Sequence, residues 1–167
     1  TLTIPSITGA GALVKSGAAA ATIAGNLTYQ GNTYISNGVV KLTADNQIPD
    51  ANSVAGSTGW LILDGGATAG TLDLNGFDET VNALSGLAGT VNGVITTRSS
   101  AAPTPPLPLL NVAATTYNGL IADHAGGAGA KIGLLVTGPN TLTLNPSAKS
   151  TFSGGIVVSN SGLAFGN

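Results

Sequence analysis

The 167-residue chain has no cysteine, no methionine and a single histidine, and only 7% of its residues carry charge. Without thiols there is no disulfide framework and no cysteine nucleophile, and without a second imidazole there is nothing to build a zinc site with. Lacking both easily oxidised side chains suits exposure outside a cell. Ordinary soluble domains are about one quarter charged, so this surface cannot rely on charge repulsion to stay dispersed, and close association with like molecules is easier. The formal net charge is −2, and the cations are Lys15, Lys41, Arg98, Lys131 and Lys149. Such a balance gives no electrostatic attraction for a phosphate backbone, which argues against nucleic acid as a partner. Aromatics make up 4% of the chain, too few for a broad stacking platform. No apolar run approaches the roughly 20 residues of a spanning helix; the run Ile132 to Val136 is far too short. The chain is therefore not expected to cross a membrane as a helix. It begins at Thr1 without a signal-peptide pattern, as a processed chain or a piece of a longer one would.

What the chain has instead is 25 glycines, a dense scatter of Ser, Thr and Asn, and a pattern written twice. TYQGNTYISNGVVKL, Thr28 to Leu42, reappears in outline as TFSGGIVVSNSGLAF, Thr151 to Phe165. Each copy runs from an aromatic (Tyr29, Phe152) to a glycine two places on (Gly31, Gly154). A β-branched run, a Ser-Asn turn and a closing apolar strand follow. Repeated short strands and turns are the mark of a solenoid, whose units bury their apolar faces only against neighbouring units.

The rest of the chain reads the same way. LTIPSI opens as a strand interrupted by Pro5, and GAGALVKSG, Gly9 to Gly17, is a turn, a short strand and a turn. GAAAATIAG, Gly17 to Gly25, is rich in alanine but bracketed by glycines and has no acidic cap, so it is read as a strand with small inward residues. A polar loop, Thr43 to Ser53, precedes the alternating strand WLILDGG at Trp60 to Gly66. From Gly70 to Gly93, Leu72, Leu74, Phe77, Val81, Leu84, Leu87 and Val91 recur between polar corners, as short strands feeding one interior do. Four prolines, Pro103, Pro105, Pro106 and Pro108, then forbid a central strand within Ser99 to Pro108. This segment is expected to bulge from a single domain spanning 1–167 and to offer a contact surface of polyproline type.

GAGALVKSG, TYQGNTYISNGVVKL and GTLDLNGFDETV resemble the autotransporter-associated β-strand repeat of passenger regions and other large bacterial surface proteins. TYNGLIAD with IGLLVTGPNTLTL is similar to the start of another such repeat, and Phe152 to Phe165 to its end. The resemblance implies a right-handed parallel β-helix, secreted or displayed on a cell surface. It speaks to architecture, not to an activity.

With one strand spacing of about 4.8 Å per coil and roughly 20 to 25 residues per coil, about seven coils and a body some 35 Å long are expected. Inward positions are assigned to Tyr29, Thr33, Ile35, Val40 and Leu42, matched in the second copy by Phe152, Ile156, Val158, Leu163 and Phe165. Asparagines and threonines at equivalent corners are expected to stack into hydrogen-bonded ladders. The first coil, with Leu2 and Ile4, and the last, with Leu163 and Phe165, begin and stop directly in strand pattern. Bare coil faces of this kind expose unpaired backbone groups and an open apolar cross-section, and a head-to-tail contact that does not close generates a filament. The reading is a non-enzymatic bacterial surface protein whose main partner is itself, as an extracellular fibre. Glycans or other surface components are further candidate partners. Two other readings are a fragment of a passenger or adhesin stalk and, less well supported, a polysaccharide-active β-helix enzyme.

No chemical site announces itself, and no cofactor is implied. His124 lies in a glycine-rich turn and reads as a solvated loop residue. GAGALVKS has Val14 where a phosphate loop needs its second glycine. Asp73 to Glu79 has the oxygen spacing of the start of a calcium loop but lacks the later glutamate, so its carboxylates read as ordinary corners. Glycoside hydrolysis needs two carboxyls across a cleft; Asp73 and Asp78 could share a face, but nothing in the sequence marks them as buried or paired. Tyr29, Tyr34, Tyr117 and Trp60 are the aromatics with which a sugar-binding face would have to be made.

Overall fold

Short runs of Leu, Ile, Val and Thr, punctuated by Gly, Asn and Ser, leave little choice but strand and corner. In the computed structural model, which describes residues 1–64, 68–86, 93–97, 109–112, 115–123, 131–146 and 149–166, nineteen strands alternate with corners and no helix occurs among the described residues. The strands fall into successive coils. The first coil holds β1 (Leu2–Ile4), β2 (Ile7–Gly9) and β3 (Leu13–Lys15), and the second β4 (Ala21–Ile23), β5 (Leu27–Tyr29) and β6 (Thr33–Ile35). The third has only β7 (Gly38–Lys41) and β8 (Trp60–Leu63). The fourth contains β9 (Gly70–Asp73), β10 (Glu79–Val81) and β11 (Ala83–Ser85), and the fifth β12 (Val94–Thr96), β13 (Leu109–Val112) and β14 (Thr116–Tyr117). The sixth contains β15 (Leu120–Ala122), β16 (Gly133–Thr137) and β17 (Thr141–Leu144), and β18 (Ile156–Ser159) and β19 (Gly162–Phe165) lie beyond it.

Every strand pairing is parallel, and like strands stack on three faces. The first face is a continuous sheet in the order β1-β4-β7-β9-β12-β15. The second is β2-β5 followed by β10-β13-β16-β18; the third is β3-β6-β8-β11 followed by β14-β17-β19. The result is an all-parallel β-solenoid of about six turns. The expectation of about seven coils of roughly 20 to 25 residues needs correction. Coil length runs from 19 residues between the partners Leu2 and Ala21 to 32 between Val40 and Leu72, because inner coils carry excursions.

Alternation along each strand sends every second side chain inward, and register stacks those side chains into columns. Leu2, Ala21, Val40 and Leu72 form one such column on the first face, continued by Ile95 and Ile121. The members from Ala21 to Ile121 are fully buried. A buried aliphatic side chain contributes about 1.5 to 3 kcal/mol, so the solenoid is held mainly by these columns.

The repeated segments occupy different phases of the coil. The first supplies β5, β6 and β7, on the second, third and first faces. The second starts beside β15, where the Thr151 amide donates to the Ile121 carbonyl, and continues as β18 and β19 on the second and third faces. What recurs is a local rule of chain geometry, and the glycines show it. The Gly31 amide donates to the Gly11 carbonyl at 2.9 Å and the Gly154 amide to the Ile132 carbonyl at 2.8 Å. A Cβ at either position would lie 2.6 or 2.4 Å from that same oxygen. Each glycine lets a corner settle onto the coil beneath it.

The polar loop Thr43 to Ser53 is not simply solvated. Its centre, Gln47, Ile48, Pro49 and Asp50, is buried, and it fills the break in the second face between β5 and β10. The Asn46 amide donates to the Asp78 carbonyl at 2.9 Å. The proline-rich segment, with Pro103, Pro105, Pro106 and Pro108, and the turn holding His124 lie outside the described residues, as do Leu87 and Val91.

Candidate functional site

The last coil exposes what every inner coil hides. β18 pairs with β16 so that Ile156 and Val158 follow Leu134 and Val136, and β19 pairs with β17 so that Leu163 and Phe165 follow Leu142 and Leu144. Leu134, Val136, Leu142 and Leu144 are buried. Their successors point along the same columns, yet Ile156 is 42% exposed, Val158 44% and Phe165 66%. Phe152 and Leu163 are half-buried. Of the inward positions assigned from sequence, Tyr29, Thr33, Ile35, Val40 and Leu42 are fully enclosed; those of the second copy are only partly covered. The reason is geometric: β18 and β19 are paired on one side only, so their inward side chains lack the covering strand that Leu134, Val136, Leu142 and Leu144 receive from them. Around them a concavity of about 630 Å³ is lined by Leu144, Pro146, Lys149, Phe152, Ile156 and Phe165 among others.

The first coil presents a different surface. Leu2 is 59% exposed, whereas Ile4 is already buried. On the third face Lys15 takes the inward position that Ile35 and Leu63 occupy in the following coils, and it too is buried. Its ammonium bends to the corner and donates to the carbonyls of Gly17 at 2.6 Å, Asn37 at 3.1 Å and Ser16 at 3.2 Å. All three ammonium protons thus have acceptors, while the methylene stem lies over the column, as amphipathic side chains do. Sequence reading treated Lys15 as part of a turn. The alternation with Leu13 was the signal that it faces inward.

A second group missed from sequence is Glu79. It opens β10 in a position whose register partners run through Leu110 to Leu134 and Ile156, and it is completely buried. Its Oε2 accepts the amides of Gln47 at 3.1 Å and Ile48 at 3.2 Å, and its Oε1 the amide of Thr80 at 3.1 Å. Burial pushes its carboxyl up to about 8, against the opposing effect of the three amide bonds and with a further raising contribution from Asp50. Glu79 thus fastens the centre of the 43–57 excursion to the coil that follows it. The Tyr29 hydroxyl, bonded to Thr33 Oγ1, is raised to about 12, chiefly by burial; Tyr117, whose hydroxyl donates to the Gly93 carbonyl at 2.9 Å, is raised further by burial alone.

The other sequence candidates are dispersed. Asp73 closes β9 on the first face, buried, with Oδ1 accepting the Asn75 amide at 3.0 Å. The Asp78 amide donates to Asp45 Oδ1 at 2.9 Å. Among the described residues no three His, Asp or Glu side chains converge as a metal would require. Tyr29 and Tyr117 are core residues, whereas Trp60 is exposed and Tyr34 half-buried on the outer side of the third face. The expected corner ladder is present in part: Asn118 Nδ2 donates to the Gly86 carbonyl at 2.8 Å, and Asn145 Nδ2 to Asn118 Oδ1 at 3.2 Å. No helix among the described residues is long and apolar enough to cross a membrane. Comparison with protein-family models, curated proteins and solved structures returned no match.

Proposed function

We propose that this chain is a non-enzymatic structural protein of the bacterial surface, a β-solenoid subunit that stacks end to end into an extracellular fibre. The observation that carries the reading is the exposure of Ile156, Val158 and Phe165 in columns whose preceding members are buried. Apolar side chains already aligned by strand register need only one more coil to be removed from water, and β18 and β19 present free backbone edges along which that coil can pair. The sparse charge, 7% of residues, opposes such contact little. Location outside the cell accords with the resemblance to surface-protein repeats and with the absence of Cys and Met from the sequence.

The test is direct. Purified chain at rising concentration should form unbranched threads of uniform width in negative-stain micrographs, with sedimentable mass growing above a threshold concentration. A chain that stays monomeric at every concentration would sink the reading.

A further inference from the structure

The two end coils are related in a way that the fibre alone does not require. On the third face, Lys15, Ile35 and Leu63 are register partners, and so are Tyr117, Leu144 and Phe165. Gly86 joins the two series: a Cβ there would lie 3.3 Å from the Leu63 carbonyl oxygen and 3.4 Å from the Tyr117 ring. Across the described coils one interior column therefore leads from a lysine in the first to an exposed phenylalanine in the last. The neighbouring column begins with Leu13, Thr33, Leu61 and Leu84 and closes with Leu142 and Leu163. Both end coils are also short. Leu2 to Ala21 spans 19 residues and Leu144 to Phe165 spans 21, against 32 for the coil between Val40 and Leu72.

We propose that the face formed by β18 and β19 receives the first coil of a second copy in register, with Leu13 of the incoming copy following Leu163 and Lys15 following Phe165. This inference rests on the fibre reading and adds to it the joint and its selectivity. Leu13 meets Leu163 as one aliphatic residue of a column meets the next. The Lys15 stem covers the Phe165 ring while its ammonium keeps the carbonyls of Ser16, Gly17 and Asn37, so no charge is stranded when the joint closes. The two faces differ: the first coil brings a buried lysine whose ammonium is already bonded, and the last brings an exposed ring. The joint is therefore directional: Lys15 end to Phe165 end, repeated without closure.

Outward positions allow the register to be read without disturbing the core. Val14 and Ala164 each occupy the outward position of their strands, next to Lys15 and Phe165, and both lie on the third face. Within one molecule they sit at opposite ends; across the proposed joint their Cα atoms are about 4.8 Å apart. The chain has no cysteine of its own, so a V14C/A164C double variant can be treated with a short bismaleimide. A ladder of covalent multimers is expected, several-fold stronger than from T8C/A164C, whose first position is on the second face. Equal ladders from both variants, or none from either while micrographs show fibres, would overturn the register and leave the fibre standing. Absence of fibres in the unmodified chain would instead remove the reading on which the register rests.

Discussion

The first and last coils of this solenoid are built from the same kinds of strand, yet they meet solvent differently. At the first, Ile4 is buried and Lys15 folds its ammonium onto three backbone carbonyls, leaving Leu2 as the exposed column residue. At the last, Ile156, Val158 and Phe165 stand open above a concavity. Most inward side chains are covered at one end and left open at the other. In the proposed stack this asymmetry would supply the polarity, since two identical apolar faces would pair symmetrically and stop. On the fibre proposal it also separates two uses of one side-chain type, since an aliphatic residue in a column would support folding in the middle of the chain and association at its edge.

Substitution within a single column breaks that comparison most forcefully. Leu134 and Ile156 are register partners in adjacent coils, the first buried and the second open. Leu134→Ala should destabilise the monomer by about 2 to 5 kcal/mol, the usual cost of a large-to-small change in a packed core, read as a lower urea midpoint with little change in slope. Assembly should fail in proportion to the unfolded fraction. A loss below about 1 kcal/mol would mean that the column is not continuous.

Next in size comes the pH dependence of the same column further down, where Glu79 is the only carboxyl among aliphatic register partners. In the unfolded chain its carboxyl titrates near 4.5, and in the folded chain near 8. Below about 4.5 both states hold the proton and the full contribution to stability is present. Between 4.5 and 8 the unfolded chain releases the proton and the folded chain keeps it, so stability falls as pH rises, by at most about 1.4 kcal/mol per pH unit. Above 8 it levels off. Urea melts from pH 4.5 to 9 should show this decline, and Glu79→Gln should flatten it. Because Gln47 and Ile48 hang on Glu79 Oε2, the excursion 43–57 should gain hydrogen exchange over the same range. Identical pH profiles for the two proteins would show that Glu79 ionises as an ordinary surface carboxylate.

The solenoid itself was legible in the sequence, because a period of two broken by Gly and Asn admits little else. Which face each strand joins was not. Alternation assigns inward and outward, but face and register come from pairing with a coil 19 to 32 residues away. So the two segments beginning at Thr28 and Thr151 matched in grammar while lying out of phase. Lys15 and Glu79 escaped notice for a related reason. Residue type assigned them to turns and corners, whereas their spacing of two from Leu13 and Val81 assigned them to the interior. Composition was the weaker guide there, because the ammonium reaches back to corner carbonyls and the carboxyl is met by backbone amides of an excursion 32 residues earlier.

The smallest expected effect on folding is also the sharpest on the two ends. Ile156→Ala removes a side chain that is already 42% exposed, so the monomer should lose less than about 1 kcal/mol. In a fibre that side chain lies between Leu134 and the incoming coil, and its truncation should cost there what an interior truncation costs elsewhere. The critical concentration for sedimentable mass should therefore rise at least about tenfold, equivalent to about 1.4 kcal/mol per joint, while the urea midpoint of the monomer barely moves. The reverse pattern, a destabilised monomer with an unchanged critical concentration, would mean that Ile156 packs within its own coil and that this face is not where the solenoid continues. Leu134→Ala must show the opposite partition, because its side chain is enclosed before any second copy arrives. Two truncations at neighbouring positions of one column, differing only in whether a coil lies above them, thus separate the energy of folding from that of stacking.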